Sequence, residues 1–584
     1  MSTDASTKSG SVEKSSSVQK LSPVEKIKVE SNFLKGTIGE EIAAGTDHFD
    51  KHDLQLLKFH GTYQQDDRDA RSTAKQAGGS KAYSMMVRLR IPGGRITSAQ
   101  MLSMLDLCEQ MGNSTMKITT RQTIQLHGVP KNDLRPTIKR INQLALSTLA
   151  ACGDVNRNIM CCPAKRNDGV HAELERLTDE LTQALAPRTP AYHELWVTDD
   201  ATGEKTLVGG GEVEPLYGPT YLPRKFKTGI ALPEDNCIDI YTQDLGFLAV
   251  VRDGKIIGYN VTVGGGMGTT PSAAKTFPAL AKRMAFVTPN QVVGVATAVI
   301  KVQRDHGNRE DRKVARMKYL IADWGIEKFR AEVEKYFGAP LADCTEDDVH
   351  GLDDHMGWQA QGDGKWSYGW NIENGRLYDN QQVQLKGALR AVAREFQTEI
   401  RMTGHQSVIF TDIEEADKDK LIALIQQHHA PITEQISTVR RWSMSCVALP
   451  TCGLAITESE RRLPSIIDAL EAPLAKLGLD KERFTIRMTG CPNGCARPYN
   501  ADLGLVGKAK DKYTLFAGGG WLGNRLAFIY KDLVSDDSVV DEIIAIFAAY
   551  KAHRQADESL GEFCTRVGAE DLAVLAAAAP KPTV

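Results

Sequence analysis

No stretch of eighteen consecutive apolar residues occurs in the 584-residue chain, so the sequence excludes a helical membrane span. The amino end, MSTDASTKSGSVEKSSSVQK, has no apolar core of the kind a secretory leader carries. Its Ser- and Lys-rich composition reads as a disordered polar tail over residues 1–22, and the cytoplasm is the expected location. Neither sign of charge dominates. With 71 basic against 74 acidic residues the net charge is −3, which gives no global attraction to nucleic acid or to an anionic membrane. Eleven cysteines are too few to frame a chain of this length with disulfides, and reduced thiols suit the expected compartment. A dinucleotide fingerprint is also missing. The run Gly264-Gly265-Gly266-Met267-Gly268 is followed by TTPSAAK, with no acidic residue where a βαβ unit would need one. What remains is a hydrophobic fraction of 42 % and a charged fraction of 25 %, the composition of a soluble globular protein with more than one core.

Four of the cysteines are clipped into two pairs about forty residues apart. Cys446 and Cys452 lie in SCVALPTCGLA, and Cys491 and Cys495 in MTGCPNGCARP. The Pro-Asn-Gly between the second pair bends the backbone sharply and can aim both sulfurs the same way. Four thiolates are the ligand set of one cubane iron–sulfur cluster. Two other readings stay open on spacing alone: unrelated buried thiols, and structural zinc, which favours C-x2-4-C pairs closing a small module. Against zinc, the segment 453–490 between the pairs carries a full amphipathic helix and a strand.

The chain repeats itself once. KITTRQTIQLHGV at 117–129 is echoed by RMTGHQSVIFTDI at 401–413, and DLGFLAV…GYNVTVGGGMG from Asp244 by DLGLVGK…YTLFAGGGWLG from Asp502. Two copies at similar separations indicate a duplicated, pseudo-twofold globule. Helical periodicity over 98–112 and 133–152 flanks a strand over 117–128, which predicts an α+β build with antiparallel or mixed sheets.

Basic residues interrupt apolar segments at Arg88 and Arg90, at Lys117 and Arg121, at Arg157, and in YLPRKFKT at Arg224, Lys225 and Lys227. A charge on a half-buried strand costs several kcal/mol unless an opposite charge meets it. Only Arg157 has an acidic neighbour nearby, Asp154. Distant carboxylates could pair with single residues, but one polyanionic ligand would satisfy the set jointly. Lys225 and Lys227 are two apart, so on a strand they share a face. Asn308, Arg309, Arg312 and Lys313 form a further basic group on a loop-to-helix segment, which reads equally well as a solvated face. One half thus brings cations and the other brings thiols.

These residues, together with ESNFLKGTI, FHGTYQQDDRD, NRN and QRDHGNR, resemble the hemoprotein (beta) components of assimilatory sulfite reductases, within the sulfite/nitrite reductase family, from about Glu30 to about residue 567. The resemblance implies a pseudo-twofold duplicated fold with cofactors at the interface of the lobes. It implies an N-terminal arm at 23–84, ferredoxin-like repeats at 85–150 and 355–430, a siroheme and substrate lobe at 151–354, and a cluster and siroheme lobe at 431–584. It further implies siroheme and one 4Fe–4S cluster held by Cys446, Cys452, Cys491 and Cys495, with Cys495 also ligating the siroheme iron. Sulfite would bind among Arg88, Arg157, Lys225 and Lys227. Lys117, Arg121, Gln125, His127, Arg224, Asn308 and Arg309 would contact siroheme, largely through its carboxylates. Lys117 and His405 depart from the family's Arg and Asn, which bears on local cofactor contacts. The implied activity is six-electron reduction of sulfite to sulfide, with electrons from an NADPH-dependent flavoprotein carrying FAD and FMN, or alternatively a ferredoxin. Nitrite reduction on the same scaffold is the near rival. A zinc-stapled nucleic-acid-binding protein is the distant one.

Overall fold

Four five-stranded sheets carry the chain, and they form two matched pairs. A computed structural model describes residues 21–188, 195–209, 213–271 and 273–580. The expected disordered tail lies outside the described residues up to residue 20; Ser22 already caps a helix, Pro23–Glu30.

In the first pair every neighbouring strand is antiparallel. One sheet runs Thr62–Asp66, Tyr83–Arg88, Ile124–Val129, Met116–Ile118, Arg376–Leu377; the other runs Gly357–Ala360, Trp366–Trp370, Val408–Ile413, Glu399–Met402, Arg95–Thr97. Each sheet is thus completed by an edge strand from the other half of the chain. Helices Ser98–Gln110 and Leu385–Phe396 pack between them over one shared core, in which Met104, Leu107 and Ile124 join Trp370, Leu389 and Phe410. The first of these helices starts at a reciprocal cap, where Thr97 and Gln100 satisfy each other's backbone N–H groups.

The second pair has the same internal order in both copies. Met160–Cys161, Thr228–Ala231 and Leu245–Arg252 run parallel, then Lys255–Val263 and Lys282–Val287 return antiparallel. Met444–Ser445, Ile486–Thr489, Leu503–Ala509, Lys512–Ala517 and Phe528–Ser535 repeat that pattern. The correspondence extends to single hydrogen bonds. Asp244 accepts from the Lys227 N–H at 3.0 Å, and Asp502 accepts from the Thr485 N–H at 2.9 Å, each just before the matching strand.

Three local expectations change. The stretch 117–128 is not one strand but a hairpin, turning at Gln122, whose φ is +53°; its echo turns at Gln406, φ +67°. Both glutamines are buried and hold the turn by amide bonds, Gln122 to Cys161 and Gln406 to the Asn374 carbonyl. The helix expected over 133–152 stops at Gln143, because Ala145 and Ala150 adopt left-handed backbone. Arg224–Lys227 precedes its strand instead of lying on it, yet buried Phe226 bridges to Asn156 and leaves Lys225 and Lys227 on the opposite side. Among the described residues no helix is long and apolar enough to cross a membrane.

Candidate active site

The hairpin tip carrying Arg121 reaches the turn that carries Cys495. Thr120 Oγ1 donates to the Cys495 carbonyl at 3.1 Å, and Arg497 Nη1 donates to the Thr120 carbonyl at 3.0 Å. From the same half as the hairpin, the triple-glycine loop closes on this turn as well. The Thr269 N–H donates to the Pro492 carbonyl at 2.9 Å, and a Cβ on Gly268 would stand 3.0 Å from the Asn493 carbonyl. Gly266 leaves room for the Arg316 guanidinium, which a Cβ would meet at 2.5 Å. The glycines therefore serve close approach, and no phosphate cradle need be invoked.

The four cysteines gather at this turn. Cys446 follows the strand Met444–Ser445, Cys491 follows Ile486–Thr489, and Arg68 of the N-terminal arm anchors the loop between Cys446 and Cys452 by donating to the Cys452 and Ala455 carbonyls. The Gly490 N–H points at the Cys446 sulfur (3.4 Å) and the Asn493 amide at the Cys491 sulfur (3.4 Å). Burial pushes the Cys446, Cys452 and Cys491 thiols up, Cys491 to about 11, and the neighbouring cysteines push further. Such sulfurs become thiolates only with a cationic centre between them. A zinc ion would draw them to within about 3.8 Å of one another. Among the described residues, however, the only set of three or more ligand atoms converging within 4.8 Å is a different one. No three of these sulfurs are close enough for one zinc, and four thiolates are the ligand set of the larger cubane.

Beside Cys495 lies the cation set. Lys225 is pulled down to about 7, first by burial, then by Arg224, Arg157 and Arg316; Cys495 pulls the other way. Lys227 is also lowered well below the usual lysine range, again by burial first and then by Arg121, Lys225 and Arg316, with Cys495 opposing. Burial and then Arg157 bring Arg121 to about 9, and burial and Arg312 bring Arg224 to about 10. Among the described residues no carboxylate pairs with Arg121, Arg224, Lys225 or Lys227, and Arg121 leaves its Nε without a partner. Arg88 is aimed by its neighbours: it donates to Cys152 Sγ at 3.0 Å and lies over the Tyr63 ring. With the Gln125 amide turned to satisfy both ends, its oxygen accepts from Arg88 Nε at 2.8 Å and its nitrogen donates to His127 Nε2 at 3.2 Å. His127 in turn meets Gln65 at 3.2 Å, and burial holds this histidine neutral.

Not every expected residue joins the set. The Lys117 ammonium donates to Glu460 (2.7 Å) and to the Asn374 carbonyl, so this lysine has the distant carboxylate partner that sequence could not supply. Arg309 is held by Glu25 (2.6 Å), Thr220 and the Tyr221 carbonyl, and Asn308 caps the turn at Glu310 and Asp311. Two cations of the site were missed. Arg316 pairs with Asp244 at 2.6 Å, and Lys318 donates to the Gly266 and Gly268 carbonyls at 2.9 Å each. They stand two apart in QRDHGNREDRKVARMKY, and that spacing was the available signal.

The donor set fits both implied groups: four thiols too spread for one small ion, and uncompensated cations facing them that call for a polyanion. Comparison with known proteins agrees. The model of the nitrite and sulphite reductase 4Fe-4S domain matches residues 177–341 and 440–578, and that of the nitrite/sulfite reductase ferredoxin-like half domain matches 78–144 and 359–428. The sulfite reductase (NADPH) hemoprotein beta-component of Paenibacillus sp. (strain JDR-2) is 44 % identical over 546 residues, covering 93 % of this chain and 94 % of that protein. The protein of the same name from Staphylococcus haemolyticus (strain JCSC1435) is 43 % identical over 543 residues, with 93 % and 94 % covered. The solved structure of the Mycobacterium tuberculosis NirA protein superposes with a TM-score of 0.76 at 26 % identity, covering 95 % of this chain and 98 % of that one. With the domain pair matched twice, in the halves that the sheets themselves mark out, the chain belongs to the nitrite and sulphite reductase family.

Proposed function

We propose that this chain reduces sulfite to sulfide, as the hemoprotein component of an NADPH-linked sulfite reductase. The observation that carries the reading is the position of Cys495, on the turn with Cys491, held by Thr120 of the hairpin tip and close to both the other cysteines and the lysines Lys225 and Lys227. Siroheme and a 4Fe–4S cluster, when bound, would relay electrons one at a time, and six of these with six protons carry hydrogensulfite to hydrosulfide and three waters. Cys446, Cys452, Cys491 and Cys495 would hold the cluster, with Cys495 shared with siroheme. Arg121, Gln125, His127 and Arg224 would face the siroheme carboxylates.

Arg88, Arg157, Lys225 and Lys227 take the substrate oxygens. Fixed cations there stabilise the negative charge that builds as electrons arrive, because their orientation is set before the substrate binds. The arrangement supports this: Arg157 is braced by the Gly153 carbonyl, and Arg88 by Cys152 and Gln125. Lysines surrounded by cations give up protons readily, so Lys225 and Lys227 are the proton donors as S–O bonds break.

No flavin or nicotinamide motif is readable in the chain, so the electrons come from a partner. We assign that role to a flavoprotein carrying FAD and FMN and using NADPH; a ferredoxin is the alternative, and turnover with each donor decides between them. The purified protein tests the whole reading. It should be strongly coloured and should reduce sulfite with a chemical reductant at a higher kcat/KM than nitrite. A colourless protein with salt-sensitive RNA binding would overturn the enzyme assignment, and a preference for nitrite would overturn the substrate.

A further inference from the structure

Among the described residues the one tight convergence of ligand atoms is remote in sequence from the four cysteines. Cys162, Asp235, Cys237 and His355 are all buried, and one ligand atom from each lies within 4.8 Å of the others. Cys162 and the Asp235–Cys237 loop follow two adjacent parallel strands, Met160–Cys161 and Thr228–Ala231, so both emerge at the same end of one sheet. His355 arrives on the connecting segment that leaves the first lobe. That segment is laid against the loop by backbone bonds from His350 to Pro233 (2.7 Å) and from Asn236 to Gly351 (3.0 Å). Gly351 allows the approach, since a Cβ there would stand 2.0 Å from the Glu234 carbonyl.

Within the set, Cys162 Sγ is 2.7 Å from Asp235 Oδ2 and 3.9 Å from His355 Nε2, and Asp235 Oδ2 is 3.1 Å from His355 Nε2. Tetrahedral zinc, with bonds of about 2.3 Å to sulfur and 2.0 Å to nitrogen or oxygen, spaces its donors by roughly 3.3–3.8 Å. Shifts of up to about 1 Å would seat the ion, the largest among these three pairs opening the Cys162–Asp235 contact. The surroundings are also those of a metal ligand set. Asp235 commits Oδ1 to the backbone N–H groups of Cys237 and Asp353 (3.2 Å each), which leaves Oδ2 facing inward. The far nitrogen of the imidazole, His355 Nδ1, has no hydrogen bond and lies 4.0 Å from the Asp353 carboxylate, the kind of outer partner that orients metal-bound histidines.

We propose that Cys162, Asp235, Cys237 and His355 bind one structural zinc ion. It would clip the connecting segment to the first lobe, beside the second ferredoxin-like sheet, where a Cβ on Gly369 would meet the His355 carbonyl at 1.8 Å. Two thiolates, an imidazole and a carboxylate form a closed borderline-soft set with no open position, which marks a structural role, and the set is too tight for a cubane. This site is independent of the sulfite reading.

The test is metal analysis of the full-length protein, produced without a histidine tag and washed with chelator. The expected result is about one zinc per chain, with a zinc-edge absorption spectrum showing two sulfurs near 2.3 Å and two nitrogen or oxygen neighbours near 2.0 Å. Cys237→Ala and His355→Ala should each lower the zinc at least about tenfold while iron per chain is unchanged. Should those variants fail to fold, the wild-type edge spectrum decides alone. Absence of zinc, a different metal in its place, or a zinc shell without sulfur would each overturn the assignment. Iron content and colour report on the proposed function separately, so the two can fail independently.

Discussion

Lys225 and Lys227 stand two apart on one side of their segment, and the burial and cationic neighbours that depress their pKa values also ready them to release protons. Methionine keeps the length of the stem and removes both the charge and the proton. Lys225→Met and Lys227→Met should each cut sulfite turnover by about 100-fold or more, the scale of lost general-acid catalysis, while iron content and the absorption spectrum stay as in the wild type. Unchanged turnover would remove both lysines from the mechanism. Cys495 allows a second check at the same scale. If its sulfur belongs to both groups, Cys495→Ser perturbs the cluster signal and the siroheme spectrum together. A variant that lost only the cluster would contradict the sharing. Both sets were readable in the sequence because their spacing is local: C-x3-C, and two lysines two apart. Lys117 was not, because its partner Glu460 is 343 residues away.

Glu460 shows how the structural elements are held around the site. From the cysteine-bearing lobe it reaches two neighbouring strands of the first sheet, meeting Lys117 on Met116–Ile118 at 2.7 Å and Arg376 on Arg376–Leu377. These two cations hold its carboxyl at about 2 although burial opposes them. A carboxyl lowered from about 4.5 to about 2 stabilises the folded state by up to about 3 kcal/mol, less the cost of burying Lys117. The contribution is fully present above about pH 4.5 and is lost as the pH falls towards 2. Glu460→Gln should therefore lower the melting temperature at neutral pH, and the gap to wild type should narrow in acid. A gap independent of pH would show that the carboxylate's charge is not what holds the strands. At this scale the elements were legible in the sequence but their ends were not. Periodicity marks the helix Ser98–Gln110 well, whereas the hairpin tip at Gln122 looks like continuous strand, since a buried glutamine in left-handed backbone leaves no glycine to mark it.

The duplication reaches the scale of the whole molecule through exchanged strands and one ion pair. Asp239 and Arg497 each stand five residues before the repeated Asp-Leu-Gly, in left-handed backbone at the head of a short 3-10 turn. They pair with each other across the two halves, so equivalent positions have diverged into opposite charges, and Arg487 joins Asp239 at 2.9 Å. The repeated motif was legible in sequence; the pairing was not, because one chain's echo does not show which copies touch. Arg95–Thr97 closes the second half's sheet and Arg376–Leu377 closes the first half's, while one apolar core is shared between them. Neither half can bury its sheet alone, and each would expose an unpaired edge. Dividing the chain in the exposed turn after Gly338 tests this directly. Residues 1–338 and 339–584 expressed separately should be insoluble or colourless, whereas co-expression should return a coloured complex that copurifies and reduces sulfite. A soluble, cooperatively folded fragment on its own would show that the exchanged strands are ornament and that each half closes its own core.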